Sequence, residues 1–189
     1  MKAPLAAEPD AALAARALAG EDRAFAELVG RYKQALFRVV YRVAGNEEDA
    51  REILQDAFAA AHGALRRYDA ARPMQAWLTT IALNKARDWR RRESVRRLLR
   101  AVLPVSAAAD VADTEVPVDD AAADRQQLAL VKARIAALPA NLREVLVLRT
   151  LEGLSQAETA AILGVTEKAV ETRLYRARQQ LAMADNEAG

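Results

Sequence analysis

Apolar residues recur at helical spacing along most of this chain, and the period-two alternation of a half-buried strand is absent. From 22 to 45, Phe25, Leu28, Val29, Tyr32, Leu36, Val39, Val40 and Val43 form one stripe, opened by Asp22 as a cap and closed by Gly45. Asn46 is placed to start a second helix with Ile53, Leu54, Ala57, Phe58 and Ala61 inward. Pro73, whose φ is pre-set, suits the first residue of a third, on which Met74, Trp77, Leu78, Ile81 and Trp89 share a side. Three amphipathic helices of this length can bury a common face, so residues 11–100 are expected to form a helical domain.

A second periodic region runs from Leu138 to Leu181 and scans as helix, turn, short helix, turn and longer basic helix. Ser155 and Glu158 make a capping box for the short helix. Gly164 stands where the chain must bend through positive φ, and Thr166 can cap the last helix with Glu167 in its first turn. Val170, Leu174, Ala177 and Leu181 then face inward, leaving Lys168, Glu171, Thr172, Tyr175 and Arg176 outward. This is the layout of a helix-turn-helix, whose second helix enters a major groove. Arg173, Arg176 and Arg178 lie close enough to repel one another unless phosphates or acids are near. The expected fold class is therefore all-α: two small helical domains, residues 11–100 and 125–184, the second a helix-turn-helix.

Charge divides the chain the same way. The net charge of +2 hides 18 Lys and Arg against 11 Asp and Glu over residues 11–100, and nine bases against five acids over 125–184. Between them, residues 101–124 hold six acids and no base, two prolines and no recurrent apolar face. Such a stretch cannot bury enough surface to offset its ordering entropy, so a flexible acidic linker is expected there. Fully extended it reaches at most ~80 Å, enough to span about two turns of duplex, ~70 Å. Two basic modules on an acidic tether can touch two DNA elements at once.

Composition removes several functions. The chain has no cysteine and one histidine, His62, so disulfides, thiolate metal sites and a serine–histidine relay are not expected. No run approaches the ~20 apolar residues of a membrane-spanning helix, and the N-terminus lacks a signal-peptide core. The reading is a cytoplasmic protein without membrane insertion. There is no phosphate-cradling Gly-rich loop, and no cofactor is implied.

The densest charge lies at 84–100, with eight bases and two acids. On the Pro73 helix, Thr80, Asn84, Arg87 and Arg91 recur away from the Trp77–Ile81 stripe, with Lys85 and Arg90 beside them. An amide that can read a base edge thus stands among guanidiniums that can hold phosphates. Arg66, Arg67, Tyr68 and Arg72 precede this helix, and bases with an interleaved ring suit an unstacked strand. The Asn46 helix is the opposite, with Glu48, Asp49, Glu52, Gln55 and Asp56 outward. Acids so close together do not face DNA; they offer either a solvated face or a docking surface for a partner's basic helix.

Three blocks of this sequence resemble the bacterial RNA polymerase sigma factors, of the sigma-70 family and its small extracytoplasmic-function (ECF) class. NEEDAREILQDAF (46–58) resembles region 2.2, which grips the polymerase clamp; RPMQAWLTTIALNKARDWRRR (72–92) resembles regions 2.3 and 2.4, which recognise and open the minus-ten element. LPANLREVLVLRTLEGLSQAETAAILGVTEKAVETRLYRAR (138–178) resembles region 4, which reads the minus-thirty-five element. The resemblance implies polymerase contacts at Asp49, Glu52, Gln55, Asp56 and Phe58, the last as core support. It implies that Asn84 holds a flipped base and that the Arg67–Pro73 turn shapes its pocket. Thr172, Arg173, Tyr175 and Arg176 fall on the groove-facing part of the region 4 helix, where Glu171 departs from the Lys or Arg that relatives often carry. The implied partners are the core enzyme (clamp helices of the largest subunit, and flap), promoter DNA and an anti-sigma factor. The implied role is promoter recognition, DNA melting and initiation for a stress or envelope-type regulon, without catalysis. A dimeric repressor would need a dimerisation or sensor domain, and a nuclease a carboxylate cluster in the basic groove; neither is visible.

Overall fold

The computed structural model describes residues 4–102 and 120–186, and every regular element among the described residues is helical. A short 3-10 turn, Leu5–Ala7, leads into α1 (Asp10–Leu18), α2 (Asp22–Ala44), α3 (Glu47–Ala64), a second 3-10 turn (Leu65–Arg67) and α4 (Met74–Val102). The second lobe comprises α5 (Asp120–Ala137), α6 (Ala140–Leu146) continued by a π-helical turn (Val147–Leu151), α7 (Gln156–Leu163) and α8 (Glu167–Asn186). The expected linker falls largely on 103–119, outside the described residues. Helix α5 opens earlier than the charge pattern indicated, because Ala121–Ala123 is a run of the strongest helix former.

The caps follow the sequence closely. Asn46 accepts the Asp49 N–H at 2.9 Å, and Gly45 closes α2 at φ 98°. Two starts are shifted: Glu21 takes the α2 cap position, its carboxylate turned to Arg16 at 2.6 and 2.8 Å rather than to the helix N–H groups, making Asp22 the first helical residue, and α4 begins at Met74 rather than Pro73. Helix α1 is an addition to the three expected. It buries Leu13 and Ala14 against α2, and Asp10 ties it down by accepting from Arg31 at 2.9 Å and from the Tyr32 hydroxyl. Burial and this carboxylate together push the Tyr32 phenol well above its ordinary range.

The first lobe's core consists of Leu28, Leu36, Val39, Val40 and Val43 from α2, Ile53, Ala57 and Ala61 from α3, and Met74, Leu78, Leu83 and Trp89 from α4. Each large side chain so enclosed contributes about 1.5–3 kcal/mol of transfer free energy. The first lobe's core does not stop at its own helices. Residues 142–148 are buried without a break, so α6 is enclosed on all sides from Leu142 onward. A helix without a wet face needs cover on two flanks. One flank meets α8, where Leu138, Leu142 and Leu146 close on Ala177, while Val145 joins Ala160 and Val170. The other meets the first lobe, whose core extends through Val147, Leu148 and Ile162.

Candidate nucleic-acid and polymerase interfaces

Helix α8 is held at a fixed angle to α7 by local chemistry. Ser155 Oγ accepts the Glu158 N–H at 3.1 Å and the Ser155 N–H donates to Glu158 Oε2 at 2.8 Å, the reciprocal capping box read from the sequence. The bond to Ser155 holds the Glu158 carboxyl below its ordinary value. Gly164 turns the chain at φ 66°, Thr166 Oγ1 accepts the Ala169 N–H at 3.1 Å, and Gln156 donates to the Glu167 carbonyl at 3.0 Å across the turn. Val170 and Ala177 are fully buried, which forces the opposite face outward. Lys168, Glu171, Thr172, Tyr175 and Arg176 are all exposed and Arg173 is half-buried. Tyr175, at 62% exposure, is a large ring with no packing role, its hydroxyl accepting from Gln179 at 2.8 Å. Glu171 pairs with Lys168 at 2.9 Å, so the carboxylate partly neutralises a cation on the same face.

The corresponding face of α4 is not free. Thr80 Oγ1, which bonds the Ala76 carbonyl one turn back, also donates to the Ile162 carbonyl of α7 at 3.1 Å. Arg87 donates through Nε and Nη2 to both oxygens of Glu144, at 2.7 and 2.5 Å, and through Nη1 to the Asn84 side-chain carbonyl at 2.9 Å. Glu144 is only 2% exposed, and its hydrogen bond raises the Arg87 guanidinium pKa. Arg90 reaches the Ala136 carbonyl at 3.4 Å, and burial lowers its pKa. Asn84 and Arg91 remain exposed and Lys85 is half-buried. Before α4, Asp69 accepts the Ala71 N–H at 2.9 Å, and the Tyr68 hydroxyl donates to the Arg72 carbonyl at 2.9 Å. The Tyr68 ring sits 5.3 Å from Trp77, so the loop is shaped by its own side chains and leaves Arg66, Arg67 and Arg72 exposed.

On α3, Glu52 and Gln55 are exposed and Asp49 and Asp56 half-buried. Asp49 is drawn into the Asn46 cap, and Asp56 meets Arg92 at 3.5 Å. Phe58 packs against the core. Among the described residues no three potential metal ligands gather, and no helix is long and apolar enough to cross a membrane.

The contact between the lobes uses residues that sequence reasoning passed over. Arg143, 1% exposed, donates to the carbonyls of Ile135 and Leu138 at 2.8 and 2.6 Å and of Ala136, and across the interface to the Val43 carbonyl at 2.8 Å. It therefore satisfies carbonyls at the C-terminal ends of two helices, where the partial charge is negative. Arg42 donates to the Leu151 carbonyl at 3.0 Å and pairs with Glu152. In the sequence Arg143 and Glu144 look like solvated charges on an amphipathic helix. Only the unbroken apolar run after them hints that this helix has no wet side.

With this geometry in hand, the comparisons with known proteins give the class. Residues 28–97 match the Sigma-70 region 2 family and residues 128–181 the Sigma-70 region 4 family. The sigma factor CnrH of Cupriavidus metallidurans is 40% identical over 93% of both chains. The ECF sigma factor SigW of Bacillus subtilis is 31% identical over 86% of this chain and 89% of its own. A solved structure of CnrH in complex with the cytosolic domain of CnrY is 35% identical, covers 95% of this chain and 99% of that one, and superposes with a TM-score of 0.66. The sigma factor RpoE of Bartonella quintana, in complex with the anti-sigma factor NepR, shares the fold at a TM-score of 0.63 and 22% identity, over 83% of this chain and 93% of that one. The chain belongs to the sigma-70 family of RNA polymerase sigma factors, in its ECF class. It is a transcription initiation factor that directs RNA polymerase to promoters.

Proposed function

We propose that the two basic faces divide promoter recognition between them. Helix α8 lies in the major groove of the minus-thirty-five duplex, where Lys168, Thr172, Arg173, Tyr175 and Arg176 meet base edges and phosphates and Glu171 accepts from a base amine or orients Lys168. The α4 face takes the opened minus-ten strand. Asn84 holds an extruded base beside the Arg67–Pro73 loop with Tyr68, while Thr80, Lys85, Arg87, Arg90 and Arg91, with Arg72, hold the backbone. Extrusion costs a few kcal/mol per base, offset by pocket hydrogen bonds and stacking. Asp49, Glu52, Gln55 and Asp56 on α3, supported by Phe58, dock on the basic clamp helices of the polymerase.

Residues 11–100 and 125–184 act as separate units joined by the acidic 101–124 segment, which threads a basic channel of the enzyme. The factor works in the cytoplasm by binding alone, with no reaction of its own. An anti-sigma factor is its expected regulator, as the RpoE–NepR complex illustrates for a protein of the same fold.

The observation that carries this reading is the α8 face, on which Lys168, Glu171, Thr172, Tyr175 and Arg176 are exposed while the capping box of α7 and Gly164 fix the helix-turn-helix angle. Run-off transcription with purified core polymerase on a promoter-fragment library tests it. Discrete start sites that depend on this subunit and vanish with Asn84→Ala support the assignment. Start-site selection that survives both Asn84→Ala and Arg176→Ala removes these residues from DNA.

A further inference from the structure

The promoter reading gives helix α1 no task, yet its first turn is tied down from several directions. Asp10 accepts from Arg31 Nη1 at 2.9 Å and from the Tyr32 hydroxyl. The same guanidinium donates to the Leu5 and Ala6 carbonyls at 3.0 and 3.1 Å, and through Nε to Glu27 at 3.1 Å. Leu13 and Ala14, further along the helix, already supply its buried contact with α2. The polar cluster therefore fixes one spot, the start of the helix, rather than the helix as a whole.

The root of the 67–73 loop adjoins this helix. Besides α2, α1 packs against the Leu65–Arg67 turn from which that loop leaves. Leu65 is 2% exposed, so the turn sits in close-packed surroundings that transmit a shift. Tyr32 and Tyr68 pack on the same core. Burial, and after it the Asp10 charge, raise the Tyr68 phenol above its ordinary value, so the carboxylate lies within electrostatic reach of the loop. The loop's own hydrogen bonds are local: Tyr68 N–H to the Leu65 carbonyl, Arg72 N–H to the Asp69 carbonyl, Ala71 N–H to the Asp69 side chain and the Tyr68 hydroxyl to the Arg72 carbonyl. Such bonds set the loop's shape and not its distance from Asn84. The Tyr68 ring on Trp77 fixes one side of it, and α1 stands on another.

We propose that Asp10, clamped by Arg31 and Tyr32, is a positioning residue for strand recognition: through α1 and the Leu65–Arg67 turn it holds the 67–73 loop at the distance from Asn84 that an extruded base requires. The inference rests on the assignment of Asn84 and that loop to the melted minus-ten strand. Phosphate contacts carry no sequence information and survive a small displacement, because a long arginine side chain follows its partner. A pocket that reads one base by hydrogen bonds and stacking tolerates only about 0.5 Å. Loss of the Asp10 clamp therefore removes selectivity for the base while general affinity for the strand persists.

Holoenzyme reconstituted from the full chain and purified core polymerase tests this. The probes are labelled single strands carrying the minus-ten region of the strongest promoter recovered from the fragment library, unchanged or with each base replaced in turn. Asn84→Ala first marks the position whose discrimination depends on the pocket. There the parent is expected to prefer the native base by roughly tenfold or more, and Asp10→Ala to prefer it by about threefold or less. Tyr32→Phe, which loses only a hydroxyl, is expected to fall between them. Asp10→Asn, which leaves an oxygen for that hydroxyl, is expected to recover much of the preference. Arg16→Ala is the control, because Arg16 ties the last turn of α1 to Glu8 and Glu21, away from the Asp10 cluster. It is expected to lower the thermal midpoint and leave base preference intact. Parental preference in both Asp10→Ala and Tyr32→Phe overturns the proposal, as does an equal loss in Arg16→Ala. If Asn84→Ala marks no position, the strand-binding assignment has failed and the proposal falls with it.

Discussion

The two faces proposed to meet DNA in this sigma factor are built from similar material and sit in opposite circumstances. Helices α4 and α8 each bury one stripe and present bases with an interleaved amide, hydroxyl or ring. On α8 the stripe is covered by α6 and α7 of its own lobe, so the polar side remains in water. On α4 the first lobe covers the stripe, and the polar side then meets a second neighbour, α7 with Glu144 of α6. A basic helix is therefore not an available helix. Availability is decided by the far side of the molecule, through acceptors that mimic the nucleic acid.

The contrast can be broken most severely at Arg143. Replacing it with Met leaves the carbonyls of Val43, Ile135, Ala136 and Leu138 without their donor in a buried place, a loss of about 3 kcal/mol or more. Thermal denaturation is expected to show the lower midpoint, with the second lobe melting first by residue-resolved hydrogen exchange. A midpoint unchanged from the parent protein would mean the guanidinium is dispensable to the interface.

Next in size come Asn84→Ala and Arg176→Ala, a crossed pair. The first is expected to impair open-complex formation while sparing minus-thirty-five duplex binding. The second is expected to weaken duplex binding by about 1–3 kcal/mol if Arg176 reads a base. Footprinting and permanganate reactivity on one promoter separate the two, and equal losses in both assays would dissolve the division of labour. Ser155→Ala removes the α7 cap and is expected to lower stability by about 1 kcal/mol in chemical denaturation, without changing which bases α8 protects.

The smallest effect is one of pH. Glu158, held below its ordinary value of 4.5 by its bonds to Ser155, binds fewer protons folded than unfolded. Its contribution is therefore complete above the ordinary carboxylate range and is lost as pH falls through the depressed value. Glu158→Gln is expected to flatten that acid limb of the stability profile. An identical limb in the variant would assign it to other carboxylates.

What could be read from the residues divides by range. The Ser155–Glu158 box, the Gly164 turn, the Thr166 cap and the Gly45 stop each depend on groups within four positions, and all four stand as read. Helix α1 escaped because its apolar residues are mostly alanine, and the anchor on Asp10 comes from Arg31 and Tyr32, more than twenty positions away. The closed face escaped for the same reason: Arg87 and Glu144 are 57 positions apart, Arg143 and Val43 100. A charge bound for a distant partner has the same local surroundings as one bound for water. Only the unbroken apolar run from 145 to 148 carried a trace of the second neighbour.

Arg143 reaches α2 through a main-chain oxygen, and this has an evolutionary side. Every residue type carries that acceptor, so no exchange of the Val43 side chain can delete it. The grip between the lobes can persist while the surrounding surfaces drift, leaving the exposed positions of both lobes free to diversify around a joint that inheritance in α2 cannot easily erase.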